Sequence, residues 1–254
     1  MILHSYELGD PADATVVCLH GVNAHGLRFR RLAERLPGRR VVALDLRGHG
    51  HSGWEPPWDL ATHVDDVLET ADSLGVDRAD WIGHSFGGRL VIELAARVPE
   101  RVSRAVLLDP AVWVPPPVAL ERAEEQREAL SFATVAEAIE WRRSLSALAP
   151  VELIEEEMDA HLVESDDGRF RTRFSPSAVV AAYGEMAKPP PLRGLAEVPT
   201  LIVRAPGADV CPDAIVEVCR DSIPGVEVVD VPGGHIVMWD AFDETAEAVA
   251  RFLA

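Results

Sequence analysis

The feature that most constrains this chain is a rhythm. Short β-branched runs, apolar on both faces, alternate with stretches of helical periodicity. Strands are predicted over residues 14–19, 40–45, 80–83, 104–108, 200–204 and 226–230. Between them, Phe29, Leu32, Ala33 and Leu36 follow helical spacing. Leu60, Val64, Val67, Leu68, Ala71 and Leu74 form a second stripe, with Asp59 as N-cap and Gly75 as stop. Leu90 to Val98 is helical up to Pro99, and Phe242, Ala246, Val249 and Leu253 close the chain as an amphipathic helix. Strands buried on both faces and separated by helices predict an α/β fold with a mostly parallel central sheet covered on both sides.

The rhythm breaks between Asp109 and Pro199, where only helical patterns are seen. Val135, Ala138, Ile139, Leu145 and Leu148 share one face; Val151, Ile154, Met158 and Leu162 share another. Ser175-Pro176 reads as the N-cap and first residue of a further helix. Proline triplets at 115–117 and 189–191 bracket the region as stiff spacers. Residues 112–191 are therefore predicted to form a helical cap over the C-terminal edge of the sheet, with 1–111 and 192–254 as the core. A second helical layer without a lid role is the plainer alternative.

Composition narrows the function. The 254 residues suit one domain with an insertion, or two small domains. Lys and Arg number 24 against 42 Asp and Glu, a formal net charge of −18. Such a chain is a poor ligand for nucleic acid or anionic lipid, both of which demand clustered cations. The partner expected is a small-molecule substrate, and oligomeric state is left open. No apolar run approaches the roughly 18 residues of a membrane span. Met1-Ile-Leu-His lacks the basic lead of a signal peptide. Cys18, Cys211 and Cys219 are sparse and lack metal-ligand spacing. These features lead to the expectation of a cytoplasmic protein with no disulfide, no metal and no cofactor.

The chemistry concentrates in Gly83-His84-Ser85-Phe86-Gly87-Gly88, directly after a predicted strand and directly before a predicted helix. This is G-x-S-x-G in the setting its mechanics require. Glycines let the chain turn sharply, the serine hydroxyl stands at the tip, and the amides of the new helix point at the charge that develops there. With it stand His20-Gly21-Val22-Asn23, Asp45-Leu46-Arg47-Gly48-His49-Gly50-His51-Ser52 and Pro232-Gly233-Gly234-His235. On these four motifs the chain resembles the α/β-hydrolase fold superfamily over nearly its whole length, in its capped, serine esterase- or lipase-like subgroup.

A serine hydroxyl is a weak nucleophile without an adjacent base, and histidine has a suitable pKa. Of nine histidines, His235 follows a strand and two glycines and fits the chain order Ser, acid, His. His84 neighbours Ser85, but the elbow turns its side chain away from the hydroxyl. His49 and His51 are read as shaping a turn, and His63 and His161 as surface residues. The acid must buttress His235 from the end of a strand. By resemblance the closest match is Asp209, after strand 200–204, although Ala205-Pro206 departs from the usual spacing. Asp109 is the alternative acid, since some family members place the acid after the earlier strand; its plainer role is a turn before Pro110. Asp213 is read as a helix start.

The resemblance also implies an oxyanion hole from the amides of Phe86 and Val22, with His20 pinning the loop and Asn23 and His25 shaping it. Asn23, Trp113, Trp141 and Met238 are the candidate substrate-pocket residues, suggesting an apolar pocket. The expected activity is hydrolysis of a small to medium apolar carboxylic ester through an acyl-enzyme. Lactone opening, C–C bond hydrolysis or acyl transfer by the same triad is one alternative, and a ligand-binding receptor on the same fold is another. Relatives that use an elbow aspartate, the dehalogenases and epoxide hydrolases, are disfavoured by Ser85.

Overall fold

The computed structural model describes residues 1–254 apart from 12 and 147. Among the described residues ten strands run in chain order: β1 (Ser5–Leu8), β2 (Ala14–Leu19), β3 (Arg39–Leu44), β4 (Ala79–His84), β5 (Val102–Leu108), β6 (Ser131–Phe132), β7 (Leu162–Glu164), β8 (Phe170–Thr172), β9 (Thr200–Arg204) and β10 (Glu227–Asp230). The α-helices are α1 (Arg30–Glu34), α2 (Leu60–Ser73), α3 (Phe86–Arg97), α4 (Pro116–Glu125), α5 (Val135–Leu145), α6 (Val151–His161), α7 (Pro176–Met186), α8 (Asp213–Ser222), α9 (Val237–Asp240) and α10 (Phe242–Leu253).

Seven strands form the central sheet in the order β1-β3-β2-β4-β5-β9-β10. All neighbours are parallel except β1, which pairs antiparallel with β3 at the edge. All six residues of β4 are buried, as expected of a strand covered on both faces. One core face gathers Trp81, Phe86, Leu90 and Ile202; the other gathers Val16, Phe29, Ile82, Val106 and Trp239. The chain leaves β2 for β3 on one side and returns to β4 on the other. This change of direction between β2 and β4 marks the C-terminal edge of the sheet as the place where such open sheets hold their ligands.

Local signals place the helices. Asp59 accepts from the Thr62 amide at 2.9 Å and starts α2. Ser175 caps α7, with Pro176 in its first turn. The segment between β5 and β9 departs from the purely helical expectation. Among its helices lies a small antiparallel sheet, β6-β8-β7, whose two- and three-residue strands are too short to show a period of two. Cys18, Cys211 and Cys219 are buried free thiols. No helix among the described residues is long and apolar enough to cross a membrane.

Among the ties that fasten this segment to the core is a buried carboxylate. Glu157, on α6, accepts from His25 Nε2 at 2.9 Å and pairs through its other oxygen with Arg28. Arg142 of α5 stands 3.8 Å away. The guanidiniums of Arg28 and Arg142 also lie over the Trp239 ring, 4.9 and 5.0 Å from its centre. Burial pushes the Glu157 carboxyl up, but Arg28, His25 and Arg142 outweigh it and hold it well below the usual carboxylate range.

A carboxylate with a depressed folded pKa contributes stability above its unfolded value, about 4.3, and that contribution is lost as pH falls through the folded value. Glu157→Gln leaves two buried guanidiniums without their counter-charge, a loss of about 3–5 kcal/mol. At pH 7 its Tm should fall by on the order of 10 °C. Thermal melts of both proteins from pH 7 to 3 should show the gap narrowing below pH ~4. A gap constant with pH would assign the loss to packing instead.

Candidate active site

β4 ends at His84 and α3 begins at Phe86, so Ser85 carries the whole reversal. Its backbone sits at φ 53, ψ −116, a conformation costing roughly 1–3 kcal/mol for a side-chain-bearing residue. The surroundings over-determine it. The Ser85 amide donates to Leu108 O at 3.1 Å, and its carbonyl accepts from Arg89 at 3.2 Å and Ala111 at 3.1 Å. Only glycine fits at 87, where a Cβ would lie 2.0 Å from the Leu19 carbonyl oxygen.

Ser85 Oγ lies 2.9 Å from His235 Nε2, and His235 Nδ1 lies 2.6 Å from Asp109 Oδ2. An ionised carboxylate can only accept, so the proton is assigned to Nδ1, leaving the Nε2 lone pair toward the serine hydroxyl. Asp109 is wholly buried, and its second oxygen accepts from the Ala205 amide at 3.3 Å. The three groups thus form a chain able to withdraw a proton from Ser85 and stabilise the imidazolium that results.

The structure therefore places Asp109, not Asp209, against His235. The reason lies in sheet register. His84 pairs with Leu108 across β4 and β5, so Ser85 and Asp109 leave the sheet side by side. Leu108 in turn pairs with Val203, which sets Arg204 level with Asp109 and leaves Asp209 five residues beyond. The intervening chain forms a 3-10 turn over Pro206–Ala208, and Asp209 ends it, exposed, at φ 55. Asp213 opens α8 and pairs with Arg204 at 2.6 Å, away from His235.

The loop after β2 lies against the elbow. His20 Nε2 accepts the Leu46 amide at 2.9 Å, which assigns the proton to Nδ1, whose bond to the Gly21 carbonyl is 2.7 Å. The amides of Val22 and Phe86 have no intramolecular acceptor among the described residues. Phe86 heads a twelve-residue helix, so its amide also carries the positive end of the helix dipole. Asn23, at φ 58, donates to Gln126 beyond α4 at 2.9 Å, and its own carbonyl oxygen is buried without a donor.

The remaining pocket candidates are more dispersed. Trp113 is 38% exposed and donates to the Ala187 carbonyl; Trp141 packs on Phe132; Met238 is buried in α9. Among the described residues no hydrogen bond or ring contact joins Trp113 or Trp141 to Ser85 or His235. A wide cleft of about 820 Å³, lined by Asp59, Arg89, Glu93, Lys188 and Pro189 among others, contains none of Ser85, His235 and Asp109. His63 and His161, expected at the surface, are both buried, at 1% exposure each. Burial pushes the His63 imidazole down to about 3, and holds His161 well below the usual histidine range. Helical periodicity marks positions on a face but not which face is covered. Among the described residues His84 makes no hydrogen bond to the Ser85 hydroxyl; its contact with the His235 main chain had no local signal in the sequence.

Comparison with known proteins identifies the family. A family model described as alpha/beta hydrolase fold matches residues 14–242. Lipase LipV of Mycobacterium tuberculosis is 33% identical over 239 residues, covering 92% of this chain and 91% of that protein. The sn-1-specific diacylglycerol lipase ABHD11 of Mus musculus is 27% identical, covering 98% and 85%. Among solved structures, E-2-(acetamidomethylene)succinate hydrolase superposes with a TM-score of 0.88 at 23% identity, covering 99% of this chain and 94% of that one, a likeness of fold. With a family match spanning most of its length and a 33% identical relative aligned nearly end to end, the chain belongs to the alpha/beta hydrolase fold family.

Proposed function

We propose that this hydrolase cleaves carboxylic esters through an acyl-enzyme, with Ser85 as nucleophile, His235 as general base and Asp109 as the acid that orients it. The observation that carries the reading is the continuous contact from Ser85 Oγ to His235 at 2.9 Å and from His235 to Asp109 at 2.6 Å. Ser85 Oγ attacks the ester carbonyl while its proton passes to His235 Nε2. The Phe86 and Val22 amides receive the oxyanion of the tetrahedral intermediate. His235 then returns the proton to the leaving alkoxide oxygen, and a water activated by the same imidazole releases the acid.

The names of the relatives support the substrate class. LipV and ABHD11 are named lipases, and a 28% identical protein of Escherichia coli, covering 63% of this chain and 62% of that protein, is named esterase YbfF. A small to medium apolar ester fits these names and an acidic chain that repels anions at long range. Residues 112–191 are read as the cap over the C-terminal edge of the sheet. Its links to the β2 loop, Gln126 to Asn23 and Glu157 to His25, support this reading.

Ser85→Ala should stay folded and lose hydrolysis of p-nitrophenyl esters by roughly 10³-fold or more. A fluorophosphonate should leave one adduct, on Ser85, by mass spectrometry. An active alanine variant, or an adduct elsewhere, removes the nucleophile. The acid is tested separately. Asp109→Asn should lower kcat by up to roughly 10⁴-fold, because a neutral amide favours the wrong tautomer and leaves the imidazolium unstabilised. Asp209→Asn, at an exposed turn, should stay within about twofold of wild type. The reverse pattern would return the acid to the loop after β9.

A further inference from the structure

The sequence places His84 beside the nucleophile; the fold places it beside the base as well. Its Nε2 lies 2.9 Å from the His235 carbonyl oxygen, an acceptor, so the ring carries its proton there and donates. The two imidazoles face each other with centres 4.7 Å apart and planes tilted by 36°. Burial, and then the neighbouring His235 and Arg28, hold His84 well below the usual histidine range, so the ring is neutral, and the bond to the His235 carbonyl sets its tautomer. Its Nδ1 is buried and unpartnered. Against that nitrogen lies Gly21 of the β2 loop, where an added Cβ would stand 3.1 Å from Nδ1 and 2.8 Å from Ser85 Cβ.

We infer that His84 is a positioning residue for the reaction: its ring N–H holds the main chain of His235 and so sets the reach of the base to the neighbouring Ser85 hydroxyl. The inference rests on the triad reading above. His235 needs such a hold because it sits in a loop behind Gly233 and Gly234, ahead of the four-residue helix α9. Among the described residues, the His235 carbonyl receives no other hydrogen bond. Its neighbours are tied only toward α9: the Gly234 amide donates to Asp240 Oδ2 at 2.9 Å, and the Ile236 carbonyl accepts from Trp239 and Asp240 at 2.8 and 3.0 Å. Asp109 fixes the far side of the imidazole, but a side-chain contact does not by itself fix where the backbone carries the ring. Because His84 and Ser85 share a peptide bond, one dipeptide determines both ends of the nucleophile–base contact. The arrangement also explains a polar ring with one idle nitrogen: a single donor is needed, and Gly21 covers the rest. A displacement of 1 Å at a reacting pair can cost roughly 10²-fold in rate.

The test compares His84→Gln, whose amide nitrogen reaches about as far as Nε2, with His84→Phe, which fills the space without a donor. Both are made in the full chain and assayed with p-nitrophenyl acetate, with rates normalised to sites titrated to completion by a fluorophosphonate. His84→Phe should lose roughly 10- to 100-fold in kcat with KM within about twofold, and His84→Gln should recover to within about threefold of wild type. Unchanged kcat per site in His84→Phe, with only a lower Tm, reduces the contact to packing and overturns the inference. Equal losses in both variants also overturn it. If neither variant folds, long-range ¹H–¹⁵N spectra of the wild type decide: His84 should be a neutral Nε2–H tautomer at pH 6, and an Nδ1–H or charged ring refutes the inference. Loss of activity in Ser85→Ala beside an unimpaired His84→Phe rejects this role alone; an active Ser85→Ala rejects the triad.

Discussion

A left-handed turn at one serine organises the rest of the molecule. Ser85 cannot hold φ 53 by its own preference, so its neighbours impose it through hydrogen bonds from the end of β5, the first turn of α3 and the loop after Asp109. Those bonds exist because β4 is central in the sheet and buried on both faces. The loop after β2 then lies flush against the elbow, close enough that Gly87 tolerates no side chain beneath Leu19. The strain is local, and the sheet that sustains it is large.

The same sheet register decides the partner of the histidine. Ser85 and Asp109 are the next residues after a paired couple on adjacent strands, so the serine and the buried carboxylate rise from the sheet at one level. His235 arrives from a distant loop and bridges them. Asp109 is protected from water and receives the Ala205 amide, an environment that keeps its bond to His235 Nδ1 undiluted by solvent.

Several imidazoles serve the structure as neutral struts. Burial depresses His20, His49, His63, His84 and His161, with His49 down to about 4. His20 joins the β2 loop to Leu46, and His49 reaches the Arg47 carbonyl. His25, stacked 5.0 Å from His161, carries the Glu157 contact that ties α6 to the loop bearing Val22. The β2 loop is thus connected to the segment between β5 and β9 by side chains, not by the backbone alone.

The sequence by itself determined the parallel α/β core, the place of the elbow and the pairing of Ser85 with His235, because these are written in local pattern. Doubly apolar runs mark buried strands, glycines flank a sharp turn, and chain order limits the histidine. Shorter elements were not legible: β1 is a half-exposed edge strand, and β6 to β8 carry too few residues for a period. The carboxylate that meets His235 was not legible either. Asp109 and Asp209 both follow strands, and both adopt a left-handed backbone at φ 39 and 55. Only the alignment of β5 with β4 and β9, a relation between residues far apart in sequence, shows which carboxylate meets His235. The burial of His63 and His161, and the hold of His84 on His235, likewise depend on which helix or loop covers each ring, and that is decided by packing.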